Sequence, residues 1–121
     1  MKILIIDDDA KIQRMLKRRL KKAGHDVFFA ENGKEGVEKH GEIQPDLTLM
    51  DMHMPVMDGY TAVRTLREQG CKALIVALTA SATKAEAPKA IQAGCDHFIS
   101  KPIGDDFERK IQALYENEDR E

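Results

Sequence analysis

Five short apolar runs, separated by segments of helical spacing, constrain the fold of this chain more than any other feature. They lie at 3–6, 27–30, 47–50, 73–78 and 97–99. Each has the length of a β-strand, and each is apolar at nearly every position. Such strands are typical of a parallel sheet that is buried on both faces, with helices as the crossovers. We therefore predict a three-layer α/β domain with a five-stranded parallel sheet.

The segments between these runs predict five helices. In the first, apolar residues recur on one face, Asp9 is placed to cap the free N–H groups, and Gly24 stands where a left-handed residue ends the helix. The second helix, about 34–40, should be weak because Gly36 lies inside it. An interior glycine costs up to about 1 kcal/mol relative to alanine.

The remaining three helices are predicted from apolar spacing and from proline chemistry. The third should span about 59–69. The fourth should begin late, near 86–88, because Pro88 is tolerated only in a first turn, where its missing N–H is not needed. The fifth should turn three apolar residues inward and fray into an acidic end over 113–121. Those inward residues are Phe107, Ile111 and Leu114.

Length and composition favour one globular domain over 1–121. At 121 residues the chain can bury a core without disulfides or a structural metal. Its net charge of -2 does not favour nucleic acid or a membrane surface as an obligatory partner, and no apolar run approaches the roughly 20 residues that span a bilayer. Cys71 and Cys95 are expected to be free thiols in a reducing cytoplasm. The four histidines lack the spacing of a zinc site.

Charged and hydroxyl residues stand immediately after four of the predicted strands. They are Asp7, Asp8 and Asp9 after the first, Asp51 after the third, Thr79 after the fourth, and Ser100 and Lys101 after the fifth. An open parallel sheet binds its ligands beyond these ends, where the strand order reverses. Any one of these residues alone would be interpreted as a cap or a loop residue. Their coincidence predicts one edge with several carboxylates, a hydroxyl and an ammonium.

This combination of groups is suited to phosphoryl transfer. Crowded carboxylates repel one another, and Lys101 supplies only one compensating charge. Mg²⁺, which prefers oxygen ligands, would offset the rest. Thr79 and Lys101 can both donate hydrogen bonds to an anionic group. Asp51, delivered by a buried strand, is therefore the candidate nucleophile that accepts a phosphoryl group.

Four motifs taken together are similar to those of a known family. They are ILIIDDD, DLTLMDMHMPVMDG, ALTA and FISKPI, in this order along the chain. The chain resembles the receiver domain of two-component response regulators over essentially its whole length. The resemblance implies a flavodoxin-like, doubly wound (βα)5 fold with strand order 2-1-3-4-5. It also implies a regulatory phosphoacceptor domain that catalyses only its own phosphorylation and dephosphorylation.

The resemblance further implies a role for each residue at the acidic edge. Asp51 would take the phosphoryl group from a phosphohistidine of a sensor kinase or a phosphotransfer protein. Asp8 and Asp51 would ligate Mg²⁺ (or Mn²⁺ in its place) directly, Asp7 would act through water, and His53 would contribute its backbone carbonyl. Lys101 would pair with the phosphoryl oxygens.

The same resemblance implies how the domain switches. Thr79 would hydrogen-bond a phosphoryl oxygen, and Phe98 would turn inward as Thr79 moves. The face formed by the fourth helix, fifth strand and fifth helix would change, in a monomer or a weak phosphorylation-dependent dimer. His53 and Ser81 occupy positions that tune the hydrolysis of the aspartyl phosphate. Because Phe98 has no hydroxyl, we expect no output surface that depends on a tyrosine there.

The first helix is strongly basic. Positions 10 to 24 contain no acid and seven basic residues: Lys11, Arg14, Lys17, Arg18, Arg19, Lys21 and Lys22. One interpretation is a solvated face on a protein whose charge is balanced elsewhere. The other is a docking surface that steers an acidic kinase or phosphotransfer partner. Nucleic acid is a weaker alternative, because no DNA-binding module follows.

Other classes fit less well. Asp7-x-Asp9 after a first strand also resembles phosphohydrolases of the haloacid dehalogenase type, but Lys11 stands where that family wants Thr or Val, and no length remains for a cap domain. A degenerate receiver that serves only as a protein-binding module is a second alternative, against which the full set of polar residues argues. Neither common glycine-rich nucleotide-binding motif is present. A stand-alone receiver and a piece of a hybrid sensor kinase both remain open.

Overall fold

The computed structural model describes residues 1–79 and 86–117, in which five strands alternate with five helices. The strands are β1 (Lys2–Ile6), β2 (Asp26–Ala30), β3 (Leu47–Asp51), β4 (Leu74–Thr79) and β5 (His97–Ser100). The helices are α1 (Ala10–Lys22), α2 (Gly33–Ile43), α3 (Gly59–Glu68), α4 (Glu86–Ala93) and α5 (Phe107–Asn117). The predicted elements are confirmed, with ends that differ by a few residues.

All five strands pair in one parallel sheet, in the order β2-β1-β3-β4-β5, which confirms the predicted doubly wound arrangement. The chain runs from β1 outward to β2 and then crosses back to β3 on the other side of β1. The carboxyl ends of β1 and β3 therefore flank the point where the strand order reverses. Because Ile6 pairs with Met50, the next residues on these two strands, Asp7 and Asp51, become neighbours.

Two apolar cores hold the sheet, one on each face, because successive strand residues point to opposite sides. The first packs strand residues against Leu16 of α1 and Ile111 of α5. The second packs the alternate strand residues against Leu66 of α3 and Ala90 of α4. Every residue of β3 and β4 is buried, and each fully buried Leu or Ile contributes about 1.5–3 kcal/mol. The predicted three-layer architecture thus gives the strand ends a rigid base.

Helix caps follow local sequence signals. The side chain of Asp9 accepts hydrogen bonds from two backbone N–H groups in the first turn of α1, as predicted. Gly24 has a φ of 94°, the left-handed conformation expected after this helix. Asn32 and Asp58 cap α2 and α3 in the same manner, although the sequence interpretation did not single them out.

The second helix is longer than predicted. It spans Gly33–Ile43 instead of 34–40 and ends on Gln44, whose φ is 52°. Gly36 lies on the face that meets β1, where an added Cβ would lie 2.4 Å from Cδ1 of Ile6. The glycine permits close packing of the helix on the sheet, and this packing offsets its poor helix propensity.

The fourth helix begins as predicted, and the fifth turns the predicted residues inward. α4 starts at Glu86 with Pro88 in its first turn. The inward residues of α5 are the expected Phe107, Ile111 and Leu114. This helix continues through 113–117, part of the end that was expected to fray, while 118–121 lie outside the described residues. Within 1–79 and 86–117, no helix combines the length and the apolar character that crossing a membrane requires.

Candidate functional site

Asp51 ends β3 at the edge predicted from the strand ends. It is only 7% exposed, between the ends of β1 and β4. Burial, and then the charge of Asp7, raise the pKa of Asp51 to about 6. The backbone N–H of His53, which donates to Asp51 Oδ1 at 3.2 Å, acts in the opposite direction, as does Lys101. A buried acid with a raised pKa is typical of functional sites.

Three carboxylates converge at this edge. Oxygen atoms of Asp7, Asp8 and Asp51 all lie within 4.8 Å of one another. Asp7 is fully buried, whereas Asp8 is exposed to solvent. Three carboxylates outweigh the ammonium of Lys101, and their oxygens are the hard ligands that Mg²⁺ prefers. The donor set therefore fits a divalent cation.

Lys101 supplies the ammonium group. Its Nζ lies 3.2 Å from Asp7 Oδ2 and 3.9 Å from Asp51 Oδ1. Asp7 Oδ1 also accepts a hydrogen bond from the backbone N–H of Asp9 at 2.8 Å. Lys101 is thus held against the acidic edge by a buried carboxylate that is itself fixed by the backbone.

Thr79 completes the edge at the end of β4. It is 3% exposed and pairs in register with Ser100 of β5. Its backbone carbonyl accepts a hydrogen bond from the N–H of Lys101 at 2.7 Å, so the residue after β5 is tied to the end of β4. The ends of four strands therefore meet as predicted, and they bring together Asp7, Asp8, Asp51, Thr79 and Lys101.

The loop after β3 packs closely against Asp51. A Cβ at Gly59 would lie 2.3 Å from the backbone oxygen of Asp51, so only glycine lets α3 begin at this point. Val56 in the same loop has a φ of 70° and is 79% exposed. A β-branched residue is rare in this conformation. The site thus includes local backbone geometry that the strand pattern did not predict.

A polar cluster beside the edge was also missed by the sequence interpretation. The hydroxyl of Tyr60 in α3 donates a hydrogen bond to Glu86, the first residue of α4. His53 Nε2 lies 3.5 Å from the same carboxylate, and the His53 and Tyr60 rings meet edge-on at 6.0 Å. Burial, and then the hydrogen bond to Glu86, raise the pKa of Tyr60. The cluster joins the loop after β3 to α4, through partners too distant in sequence for any local pattern to reveal.

The predicted switch and tuning residues differ in their surroundings. Phe98 lies opposite Ala77 in the sheet and is 40% exposed. The side chain of His53 is 59% exposed. Ser81 lies outside the described residues. An outward-facing Phe98 is the starting position that the predicted inward turn requires.

The basic residues of α1 divide into two groups. Six are exposed, and the four nearest the start of the helix form what we call the basic face of α1: Lys11, Arg14, Lys17 and Arg18. Arg19 instead donates to both carboxylate oxygens of Glu108, at 2.9 Å and 2.5 Å, and to the carbonyl of Gly104 at 2.7 Å. These bonds tie α1 to α5, so Arg19 has a structural partner within the chain.

Named chemotaxis proteins and a hybrid histidine kinase are similar in sequence to this chain. The chemotaxis protein CheY of Bacillus subtilis (strain 168) is 42% identical over 114 residues, which cover 93% of this chain and 93% of that protein. The CheY of Thermotoga maritima is 40% identical over 103 residues, or 84% and 86% of the two chains. Hybrid signal transduction histidine kinase G of Dictyostelium discoideum is 43% identical over 108 residues, which are 85% of this chain but 3% of the kinase.

Solved structures agree in fold and in family. The receiver domain of the Francisella response regulator 1452 superposes with a TM-score of 0.88 and 28% identity, covering 95% of this chain and 96% of that one. The BeF3-activated receiver domain of Klebsiella pneumoniae RstA gives a TM-score of 0.89 and 26% identity, covering 98% and 100%. The sequence profile of the response regulator receiver domain matches residues 3–113. The chain therefore belongs to the response regulator receiver domain family.

Proposed function

We propose that this chain is a phosphoacceptor switch in which Asp51 takes a phosphoryl group from a phosphohistidine of a sensor kinase or a phosphotransfer protein. One observation carries the proposal: Asp51 is buried at the end of β3, and Lys101 Nζ lies 3.9 Å from its Oδ1. Receiver domains work with histidine kinases and phosphotransfer proteins, and this family membership supports the choice of donor.

The residues of the site have separate tasks in the transfer. A carboxylate oxygen of Asp51 attacks phosphorus, the P–N bond breaks, and the donor imidazole keeps the electron pair and takes up a proton. Since the pKa of Asp51 is about 6, most of this carboxylate is ionised at neutral pH. Lys101 and the Thr79 hydroxyl donate to the phosphoryl oxygens, where negative charge must be stabilised.

Mg²⁺, or Mn²⁺ in its place, is the proposed cofactor. Asp8 and Asp51 would hold the ion directly, Asp7 would act through water, and His53 would use its backbone carbonyl. The all-oxygen donor set and its surplus of negative charge support this assignment. When bound, the ion supplies the positive charge that lets a phosphoryl group approach several carboxylates.

The switch that follows is proposed to run from Thr79 to Phe98. As the buried Thr79 hydroxyl moves toward a phosphoryl oxygen, it leaves space into which Phe98 turns. The face of α4, β5 and α5 changes, in a monomer or a weak phosphorylation-dependent dimer. Water then attacks phosphorus, the bond between phosphorus and Asp51 breaks, and inorganic phosphate leaves, at a rate set by His53 and by Ser81.

The phosphodonor is proposed to dock on the basic face of α1, in the cytoplasm. This face begins two residues after Asp9, beside the acidic edge, and its side chains are exposed. Positive charge there would speed the approach of an acidic partner at low salt. Docking on this face would place a phosphohistidine next to Asp51.

Intact-mass measurement with acetyl phosphate tests the phosphoacceptor assignment. Wild type with Mg²⁺ should gain the mass of one phosphoryl group, and EDTA should abolish the gain. Asp51→Asn should gain none, whereas Asp26→Asn, which alters an exposed carboxylate, should behave as wild type. No adduct on wild type, together with no beryllofluoride binding, would instead favour a phosphorylation-independent binding module.

Charge reversal tests the docking surface. Lys17→Glu with Arg18→Glu should slow transfer from a phosphohistidine protein and leave transfer from acetyl phosphate unchanged. Lys21→Glu with Lys22→Glu, at the far end of the same helix, is the matched control and should have the smaller effect. Equal slowing with both phosphodonors would refute docking on this face.

A further inference from the structure

A second group of reactive side chains lies at the other end of the sheet. Cys71 stands in the connection between α3 and β4, before β4 begins, while Thr79 at the opposite end of that strand belongs to the acidic edge. A cavity of about 340 Å³ opens there, and the residues that line it include His40, Gln44, Leu66, Gln69, Cys71 and Lys72. This cavity is separate from the phosphoacceptor site.

His40 and Cys71 form a pair within this cavity. Cys71 Sγ lies 3.6 Å from His40 Nε2, within reach of an S–H···N hydrogen bond. His40 is 7% exposed, whereas Cys71 is half-buried and open to the cavity. Burial, and then the charge of Arg67, lower the pKa of His40. The imidazole therefore stays neutral near pH 7, so that its Nε2 lone pair can receive a proton.

Arg67 fixes the backbone on which Cys71 lies. Its Nη1 donates to the backbone carbonyls of Cys71 and Ala73, at 3.0 Å and 2.8 Å, and its Nη2 donates to Asp96 at 2.9 Å. The connection is thus fixed by charge-assisted hydrogen bonds. A nucleophile and a base held at contact distance resemble the first two members of a catalytic triad.

The second cysteine provides a contrast within the same chain. Cys95 is 4% exposed and belongs to the core beside α3 and α4. Burial raises the pKa of the Cys95 thiol to about 12. Because the thiolate is the reactive form, Cys95 should be inert in the folded protein.

We propose that Cys71 is a thiol–disulfide exchange site, which takes up one half of a low-molecular-weight disulfide that carries carboxylates, with His40 as the base. His40 Nε2 receives the thiol proton, and the Cys71 sulfur attacks one sulfur of the disulfide. That S–S bond breaks as the new one forms, and the departing thiolate takes the proton from His40. Cys71 is oxidised and the released half is reduced, so atoms and electrons balance.

The charge of the cavity selects the class of disulfide. Among the described residues that line it, Lys72 is a cation and none carries a carboxylate. Lys72 is exposed and next to Cys71 in the chain, so it can attract the carboxylate of an incoming disulfide. A neutral disulfide would gain nothing from this contact.

Peptide mass mapping after incubation with glutathione disulfide tests the site. The folded wild type should gain one adduct, at Cys71, and Cys95 should react only after unfolding in urea. Cys71→Ser should gain none, and Cys95→Ser should react as wild type does. Modification of both thiols at similar rates in the folded protein, or of neither, would overturn the proposal.

The pH profile of the exchange rate tests the role of His40. His40→Gln should lower the rate at pH 7 by about tenfold or more, because a general base is lost, and should have little effect at pH 9.5, where hydroxide in solution can serve as the base instead. Equal loss at both pH values would refute base catalysis. Without any substitution, the ratio of the folded rate to the urea-unfolded rate should be larger at pH 7 than at pH 9.5, and an equal ratio would contradict the proposal.

Charge reversal at Lys72, which lines the cavity, distinguishes disulfides that carry carboxylates from neutral ones. Lys72→Glu should slow exchange with glutathione disulfide by about threefold or more at low salt, and should leave exchange with the uncharged 2-hydroxyethyl disulfide unchanged. Equal effects on the two disulfides would overturn the assigned preference for carboxylates.

Discussion

Lys101 Nζ lies closer to Asp7 than to Asp51, at 3.2 Å from Asp7 Oδ2 and 3.9 Å from Asp51 Oδ1. The ammonium thus pairs with the fully buried Asp7 and lies only 0.7 Å farther from Asp51. Its charge lowers the pKa of Asp51 against the larger effect of burial. A phosphoryl group on Asp51 would offer Lys101 a stronger anionic partner at nearly the same place.

Removal of this ammonium should slow phosphorylation of Asp51. We expect Lys101→Met to lower the rate of adduct formation with acetyl phosphate and Mg²⁺ by about 100-fold, because a donor to the transferring group is lost. Lys22→Met, which removes an exposed lysine at the end of α1, is the control. Intact-mass time courses measure both. A Lys101→Met rate within twofold of wild type would contradict the assigned role.

The buried charge of Asp51 should cost stability at neutral pH when no divalent cation is present. The raised pKa means that folding favours the protonated acid, so stability should rise as pH falls from 7 through about 6. Asp51→Asn should raise the free energy of unfolding at pH 7 by about 2 kcal/mol. The variant should also gain less stability than wild type as pH falls from 7 to 5. Urea titrations at pH 5 and 7 measure the effect.

Mg²⁺ provides the control for this prediction. It should stabilise the wild type more than Asp51→Asn, because the variant has lost a ligand and a negative charge. Equal stability of the two proteins at pH 7 without Mg²⁺ would show that the Asp51 carboxylate is not penalised by burial.

Thr48, the second residue of β3, offers a stabilising substitution. Its side chain is fully buried, and its Oγ1 has no hydrogen-bond partner in 1–79 or 86–117. Valine has nearly the same shape without the hydroxyl, so we expect Thr48→Val to raise the free energy of unfolding by about 1 kcal/mol in urea titrations. Thr65→Val is the matched control and should not stabilise, because Thr65 Oγ1 donates to the carbonyl of Thr61 at 2.8 Å. A destabilised Thr48→Val would mean that the hydroxyl has a partner after all.

The hydrogen bond between Tyr60 and Glu86 should hold the start of α4 in place. Tyr60→Phe should lower the free energy of unfolding by about 1–2 kcal/mol and speed amide hydrogen exchange in α4, while exchange in α1 stays the same. Lys89→Met, which removes the ammonium 4.5 Å from the centre of the Tyr60 ring, should have a smaller effect. Unchanged exchange in α4 of Tyr60→Phe would show that the contact does not hold this helix.

The order of elements and the composition of the acidic edge could be predicted because both depend on patterns within a few residues. A buried strand is apolar at consecutive positions, and its end is marked by the next polar residue, as at Asp51 and Thr79. Asp9 and Gly24 mark the ends of α1 through local hydrogen bonding and backbone sterics. Once the sheet is parallel, geometry alone brings the strand ends to one edge.

Contacts between distant segments could not be predicted in this way. The sequence pattern described Gly36 as a weak point of α2, whereas packing against Ile6 makes it a requirement. Nor did any pattern pair Arg19 with Glu108, 89 residues away. Such pairs depend on which helix faces meet once the cores have packed.

The sequence by itself determined the residues of the acidic edge and the architecture that brings them together. Both depend on periodicity and strand direction, which are properties of short segments of the chain. The preference of Lys101 for Asp7, the hydrogen bond from Tyr60 to Glu86 and the pair of His40 and Cys71 come from the folded structure. Each is a distance between side chains on different elements, and close packing of the two cores sets such distances.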